Sequence, residues 1–174
     1  MEENLIQIYT LSVVKGHTSA NVDRLSQVIL QNASHRLGEH PSHTRFEDSY
    51  CPDSAIIHTI IKDMETEYQK VNPESRLSLT AKWGHVHEKN MSTNMHTHNP
   101  SDVSAVTYLS VPKGSGNIVF WPNPLHDWNY NISPKKGMFL LFPGWMPHSV
   151  NRNISSEPRV SVSFNFNIVF SEKL

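Results

Sequence analysis

The sequence predicts a mainly β fold, a sandwich or jelly-roll barrel with two N-terminal helices on its outer face. Three observations predict it. Two stretches among the first 75 residues repeat apolar side chains at helical spacing. From Leu77 onward the chain is a series of short alternating or apolar runs broken by Gly and Pro. The change of character near Pro73 divides a helix-rich support, 1–75, from a β core, 76–174, read as layers of a single domain, 1–174.

Residues 5–13 read as a first strand, with β-branched and aromatic residues near alternation. Ser19 to Ala33 reads as an amphipathic helix, because Val22, Leu25, Val28 and Ile29 share one face. Residues 34–52 hold Gly38, Pro41 and Pro52 without periodicity and read as a long loop, a candidate lid. Asp53 is a suitable N-cap for a second helix, whose stripe is Ile56, Ile57, Ile60, Ile61, Met64 and Tyr68. That helix should end at Val71, before Asn72-Pro73. Strands follow at 77–88, 94–98 and 103–111. Lys113-Gly114-Ser115-Gly116 reads as a hairpin turn into a returning strand, 117–121. Residues 122–134 read as a proline-rich loop and second candidate lid. Strands at 137–142 and 147–152 precede a last one, 159–170, in which Val160, Val162, Phe164, Phe166 and Ile168 alternate with Arg159, Ser161, Ser163, Asn165 and Asn167.

Composition bounds the function. The chain has 174 residues, 37% hydrophobic and 18% charged, with a net charge of −1. This suits a soluble globular protein and gives no electrostatic case for nucleic acid. No apolar run reaches the roughly 18–20 residues of a membrane span. The acidic start Met1-Glu2-Glu3-Asn4 lacks a signal-peptide n-region. The single cysteine, Cys51, allows no internal disulfide and reads as a spare small residue. Together these suggest a cytoplasmic protein.

Eleven histidines are many for such a chain. His17, His35, His40 and His43 lie in polar segments and read as surface residues, as does His58, which falls off its helix stripe. His96 and His98 differ. In a strand, residues i and i+2 point to one face, so two imidazoles can aim at one point. His148, after Gly144-Trp145-Met146-Pro147, is the best third ligand for a facial set on Fe(II) with open positions. His85 and His87 form a second His-x-His pair beside Trp83 and are alternative ligands. Downstream, Arg159 and Ser161 also share a face, and a guanidinium with a hydroxyl makes a fork for a carboxylate. The apolar residues alternating with Arg159 suggest that its own face looks into a cavity.

These motifs resemble the 2-oxoglutarate/Fe(II)-dependent dioxygenases. They are most similar to the prolyl-hydroxylase-like members and to a branch found in marine bacteria and phages. The matching segments are His96-Thr97-His98-Asn99-Pro100-Ser101, then Ser104 to Leu109 with Tyr108, then Phe120-Trp121-Pro122-Asn123-Pro124. They continue with Gly137 through Phe142-Pro143 to His148-Ser149-Val150 and close on Arg159-Val160-Ser161 with Phe164-Asn165. The resemblance spans roughly residues 80–167, and the first 75 residues match only loosely.

The resemblance implies a double-stranded β-helix with supporting helices. It implies His96 and His148 as iron ligands. The family's usual second ligand is a carboxylate, and here His98 stands in that position. Asp102 is the nearby carboxylate that would substitute. Arg159 would bind the distal carboxylate of 2-oxoglutarate, helped by Ser161 and Tyr108. Asn94 would contact cosubstrate or substrate, and Trp83, Trp121 and Asn165 would line the mouth. The implied activity is hydroxylation of a C–H bond of a small molecule or a peptide or protein, with Fe(II), 2-oxoglutarate and O₂. Two other readings stay open. One is a three-histidine dioxygenase of cupin type without 2-oxoglutarate, which leaves Arg159-x-Ser161 unexplained. The other is a non-catalytic jelly-roll module. Substrate identity and oligomeric state are not legible.

Overall fold

A computed structural model describes residues 12–33, 44–45, 54–122 and 128–170. Two antiparallel sheets face each other, and two helices back the larger one. In chain order the elements are β1 (Val14–His17), α1 (Val22–Ala33), β2 (Thr44–Arg45), α2 (Ser54–Val71), β3 (Ser75–His87) and β4 (Thr93–His96). Then come β5 (Val103–Ser110), β6 (Ile118–Phe120), β7 (Tyr130–Ile132), β8 (Met138–Pro143), β9 (His148–Val150) and β10 (Arg159–Phe170). The six-stranded sheet runs β1-β8-β5-β10-β3-β2 and the four-stranded sheet β4-β9-β6-β7. This is the jelly roll expected from the sequence. Among the described residues no helix is long and apolar enough to cross a membrane.

Strand alternation builds two cores from one sheet. On β5, β8 and β10 the residues Val103, Ala105, Leu109, Phe139, Leu141, Val160, Val162, Phe164 and Phe166 pack with the helices. The helices contribute Val22, Leu25 and Ile29 from α1 and Ile57, Ile60, Met64 and Tyr68 from α2. Each large aliphatic side chain buried this way contributes roughly 1.5–3 kcal/mol. The opposite faces give Val106, Tyr108, Met138, Leu140 and Phe142, which meet Ile118, Phe120 and Met146 between the sheets. Period-2 alternation thus sends the polar set Arg159, Ser161 and Ser163 inward, toward the second sheet.

The helices end where local chemistry dictates. The Asn21 Oδ1 accepts the Arg24 amide at 3.2 Å, so α1 starts three residues later than the apolar pattern suggests. Upstream, Asp63 of α2 holds Thr18 Oγ1 and the Ser19 amide, each at 2.7 Å, and ties β1 to α2. The Asp53 cap, Cys51, and most of the 34–52 loop lie outside the described residues, as do His35, His40 and His43.

Three expectations about strands need correction. Residues 5–11 of the expected first strand lie outside the described residues; 12–13 are not strand, and the first strand among the described residues is Val14–His17. Val-Lys-Gly-His has little apolar alternation, and its pairing with β8 is what makes it a strand. Gly16 is required there, because a Cβ would stand 2.3 Å from the Phe139 ring. Next, the 113–116 turn does not make a hairpin. β5 is central, flanked by β8 and β10, so neither edge is open to β6. Gly114 and Gly116, at φ of 82° and 88°, instead turn the chain across to the smaller sheet, where Asn117 accepts the Asn151 amide at 2.9 Å. Finally, Tyr130–Ile132 of the expected loop is an edge strand paired with β6, three residues long and largely exposed.

Candidate active site

The two sheets bring two polar clusters to one cavity. Its lining includes His85, His87, Thr93, His96, His98, Tyr108, His148, Arg159, Ser161 and Ser163, with apolar walls from Val106, Ile118, Phe142 and Val150. About 450 Å³ of empty space, open solvent at its mouth included, lies between these residues. Among the described residues none of those lining it is acidic.

The smaller sheet supplies the histidines. His96 of β4 and His148 of β9 are register partners, and their rings lie 4.3 Å apart. His98 lies past the end of β4, so the expected 94–98 strand stops short of it. Its amide still donates to the Gly144 carbonyl at 2.7 Å, which brings its ring within 4.9 Å of His96 and 5.1 Å of His148. Gly144 permits this approach, since a Cβ would lie 2.0 Å from the Ser101 carbonyl oxygen. One nitrogen from each of the three rings falls within 4.8 Å of the others.

Hydrogen bonds set the tautomers. A carbonyl can only accept. His96 Nδ1 therefore donates to the Asn94 carbonyl at 2.8 Å, and His148 Nδ1 donates to the Met146 carbonyl at 3.0 Å. This leaves Nε2 of each ring as the nitrogen available to a cation. Burial, followed by the neighbouring His96, holds His98 at a pKa of about 4 and His148 at about 3. These two rings are thereby neutral and open to a cation at neutral pH.

That depression has a stability consequence. In the unfolded chain both imidazoles take up protons below about 6.5, and in the fold only near 4 and 3. Between those values the unfolded state binds more protons, so acid favours unfolding. The metal-free protein should hold this contribution in full above pH 6.5 and lose it as the pH falls toward 4. Melting temperatures of metal-free wild type and His148→Gln from pH 7.5 to 4.5 check it. A wild-type slope no steeper than the variant's would contradict the assignment.

The larger sheet supplies the second cluster. Arg159 is 1% exposed and Ser161 and Tyr108 are each 2% exposed. Ser161 pairs in register with Tyr108 on β5, and Arg159 pairs with His87 on β3. Arg159 Nη2 donates to His87 Nδ1 at 3.0 Å, and Nη1 makes a long 3.5 Å contact with the Gly116 carbonyl. The guanidinium carbon lies 6.0 Å from the centre of the Tyr108 ring. Arg159 Nε is buried without a hydrogen-bond partner. Burial pulls the guanidinium below its usual pKa, opposed by Tyr108, and burial raises the Tyr108 phenol. A buried cation with no anion beside it among the described residues is a costly arrangement unless a ligand supplies one.

Other expected site residues fall elsewhere. Asn94 is exposed and does not line the cavity, because a register shift between Thr93 and His96 breaks the alternation. Its contribution is the carbonyl that orients His96. Trp121 also lies off the cavity and donates to Ser149 Oγ at 3.0 Å, on the face of β9 opposite His148. Asn165 Oδ1 accepts from Ser104 Oγ at 2.9 Å, one step beyond the lining residue Ser163. Trp83 is half-buried, 5.5 Å from the His98 ring, with its indole N–H on His85 Nε2 at 2.6 Å. That bond occupies the His85 lone pair, and His85 and His87 are not in the three-histidine cluster. Asp102 is exposed and accepts the Ile168 amide at 2.8 Å, away from the cluster. His87 is the residue whose place the sequence alone did not reveal. Its signal is positional: Trp83, His85 and His87 share the face of β3 that meets Arg159.

Residues 125–165, which include His148, Arg159 and Ser161, match a family model described as "Putative 2OG-Fe(II) oxygenase". Solved structures match over most of the chain. An oxidoreductase of the 2OG-Fe(II) oxygenase family from Burkholderia pseudomallei is 15% identical, with 89% of this chain and 84% of that one covered at a TM-score of 0.63. The fold is that of the 2OG-Fe(II) oxygenases. A Pseudomonas putida prolyl-4-hydroxylase shares this fold at 14% identity, 91% and 93% coverage and a TM-score of 0.63. HygX from Streptomyces hygroscopicus, solved with nickel and 2-oxoglutarate bound, shares it at 13% identity, 91% and 83% coverage and a TM-score of 0.66. No curated protein matches the chain in sequence.

Proposed function

We propose that the protein is an Fe(II)- and 2-oxoglutarate-dependent dioxygenase that hydroxylates a C–H bond, and that 1–174 acts as one domain. The observation that carries this reading is Arg159, a buried cation without an acidic partner among the described residues, in the same cavity as three converging imidazoles. Both halves of the site suit their ligands. Three converging imidazole nitrogens, with the Nδ1 protons of His96 and His148 tied to backbone carbonyls, suit a divalent cation. An orphaned Nε–H beside two buried hydroxyls suits a carboxylate.

In this reading His96, His98 and His148 hold the iron. When bound, the iron couples O₂ to the oxidative decarboxylation of the keto acid and so to oxidation of the substrate. Arg159 binds the distal carboxylate of 2-oxoglutarate, with Ser161 and Tyr108 as hydrogen-bond partners. The apolar walls Val106, Ile118, Phe142 and Val150 keep water from the reacting centre. Trp83, held by His85 and 5.5 Å from the His98 ring, would flank a small-molecule or peptide substrate approaching that side of the cluster.

Anaerobic titration of metal-free protein with Fe(II) and then 2-oxoglutarate tests the proposal. The expected result is one iron per chain and a weak visible charge-transfer band once the keto acid chelates it. Iron binding without the band would favour the three-histidine reading without 2-oxoglutarate. Absence of iron binding would leave a non-catalytic jelly roll.

A further inference from the structure

We infer that His87 is a positioning residue for the cosubstrate: a neutral acceptor that fixes Arg159 without cancelling its charge. The inference rests on the proposed role of Arg159. A guanidinium can only donate, so the 3.0 Å contact with Arg159 Nη2 makes His87 Nδ1 an acceptor. The ring proton must then sit on Nε2, where it donates to Thr93 Oγ1 at 2.7 Å. Thr93 thereby locks the tautomer that Arg159 needs. A protonated His87 would present N–H groups on both sides and would point one at the arginine, so this geometry belongs to the neutral ring.

The choice of residue type follows from what the arginine must do. His87 is 2% exposed, at the register position directly opposite Arg159. A carboxylate there would form a buried ion pair and compete with any incoming carboxylate for the same cation. An aliphatic residue would leave the guanidinium held mainly by the long Gly116 contact and the Tyr108 ring. Imidazole does neither. It orients one nitrogen of the guanidinium and leaves Nε, which has no protein partner, and the full positive charge available for a ligand. Arg159 is thus pre-organised by a bond that ligand binding need not break.

Four proteins test this: wild type, His87→Leu, His87→Asn and His87→Asp, each loaded with Fe(II) under anaerobic conditions. The readouts are iron affinity, 2-oxoglutarate affinity from the charge-transfer band, and melting temperature without ligands. His87→Leu should weaken 2-oxoglutarate binding roughly 10- to 100-fold, the usual cost of a lost buried hydrogen bond to a charged group, with iron affinity unchanged. His87→Asn, whose Oδ1 stands where Nδ1 was, should recover most of that loss. His87→Asp should raise the melting temperature yet bind 2-oxoglutarate worse than His87→Leu, an outcome a purely structural role does not produce. Equal 2-oxoglutarate affinity in wild type and in all three variants would overturn the inference while leaving the proposed function standing. Failure of wild type itself to bind 2-oxoglutarate would overturn both. If the variants do not fold, nitrogen NMR of the wild-type ring decides: a proton on Nε2 alone supports the inference, and a proton on Nδ1 overturns it.

Discussion

Arg159→Met should raise the melting temperature of the ligand-free protein and at the same time strongly weaken 2-oxoglutarate binding. Both effects come from one fact. Arg159 is 1% exposed, and its partners among the described residues are an imidazole nitrogen, a distant carbonyl and an aromatic ring, none of them an anion. Replacing buried charge by an apolar side chain of similar length is often neutral or stabilising, by about 1–4 kcal/mol. In a chain of this size each kcal/mol moves the melting temperature by roughly 2–4 °C. The loss of His87's hydrogen-bond donor works against that gain, so the lower half of the range is expected. Binding moves the other way. Removing a buried charged partner costs roughly 2–5 kcal/mol, or about 30- to several-thousand-fold in affinity. Calorimetry and the charge-transfer titration measure the two effects separately. A variant that is destabilised and still binds the keto acid would show that Arg159 is structural.

The same residue shows what the sequence could and could not disclose. Alternation along β10 places Arg159 and Ser161 opposite Val160 and Val162, and this is legible because period 2 is a local property. Which strands flank β10 is not local. His87 meets Arg159 only because β3 runs antiparallel beside β10 in that register. The crossing from β5 to β6 was missed for the same reason: the glycines of the 113–116 turn announce a reversal, and only the occupied flanks of β5 send the chain to the other sheet. Asn94 fails differently. A register shift inside β4 cancels the alternation that would have aimed its side chain inward. The helix stripes were legible almost to the residue, since Ile57, Ile60, Met64 and Tyr68 carry both the pattern and the burial.

The histidine set yields the other large effect. His148→Ala should lower iron affinity beyond the roughly 100-fold that loss of a supporting hydrogen bond costs at a metal site, because it removes a ligand itself. His148 is the most firmly held of the three, 4% exposed, tied to Met146 and packed 4.7 Å from the Phe142 ring. His98→Ala should cost a similar factor, whereas Asp102→Asn should change iron affinity little, since that carboxylate already accepts the Ile168 amide away from the cluster. Reversal of those two results would make Asp102 the ligand. His98→Asp is the more informative exchange. Three imidazoles leave a bound dication its whole charge, and a carboxylate would cancel one unit of it. Iron should still bind to His98→Asp, but the dianionic keto acid should bind more weakly, because its attraction to the metal scales with the remaining charge. An unchanged keto-acid affinity would mean that Arg159, and not the charge on the metal, sets the strength of cosubstrate binding.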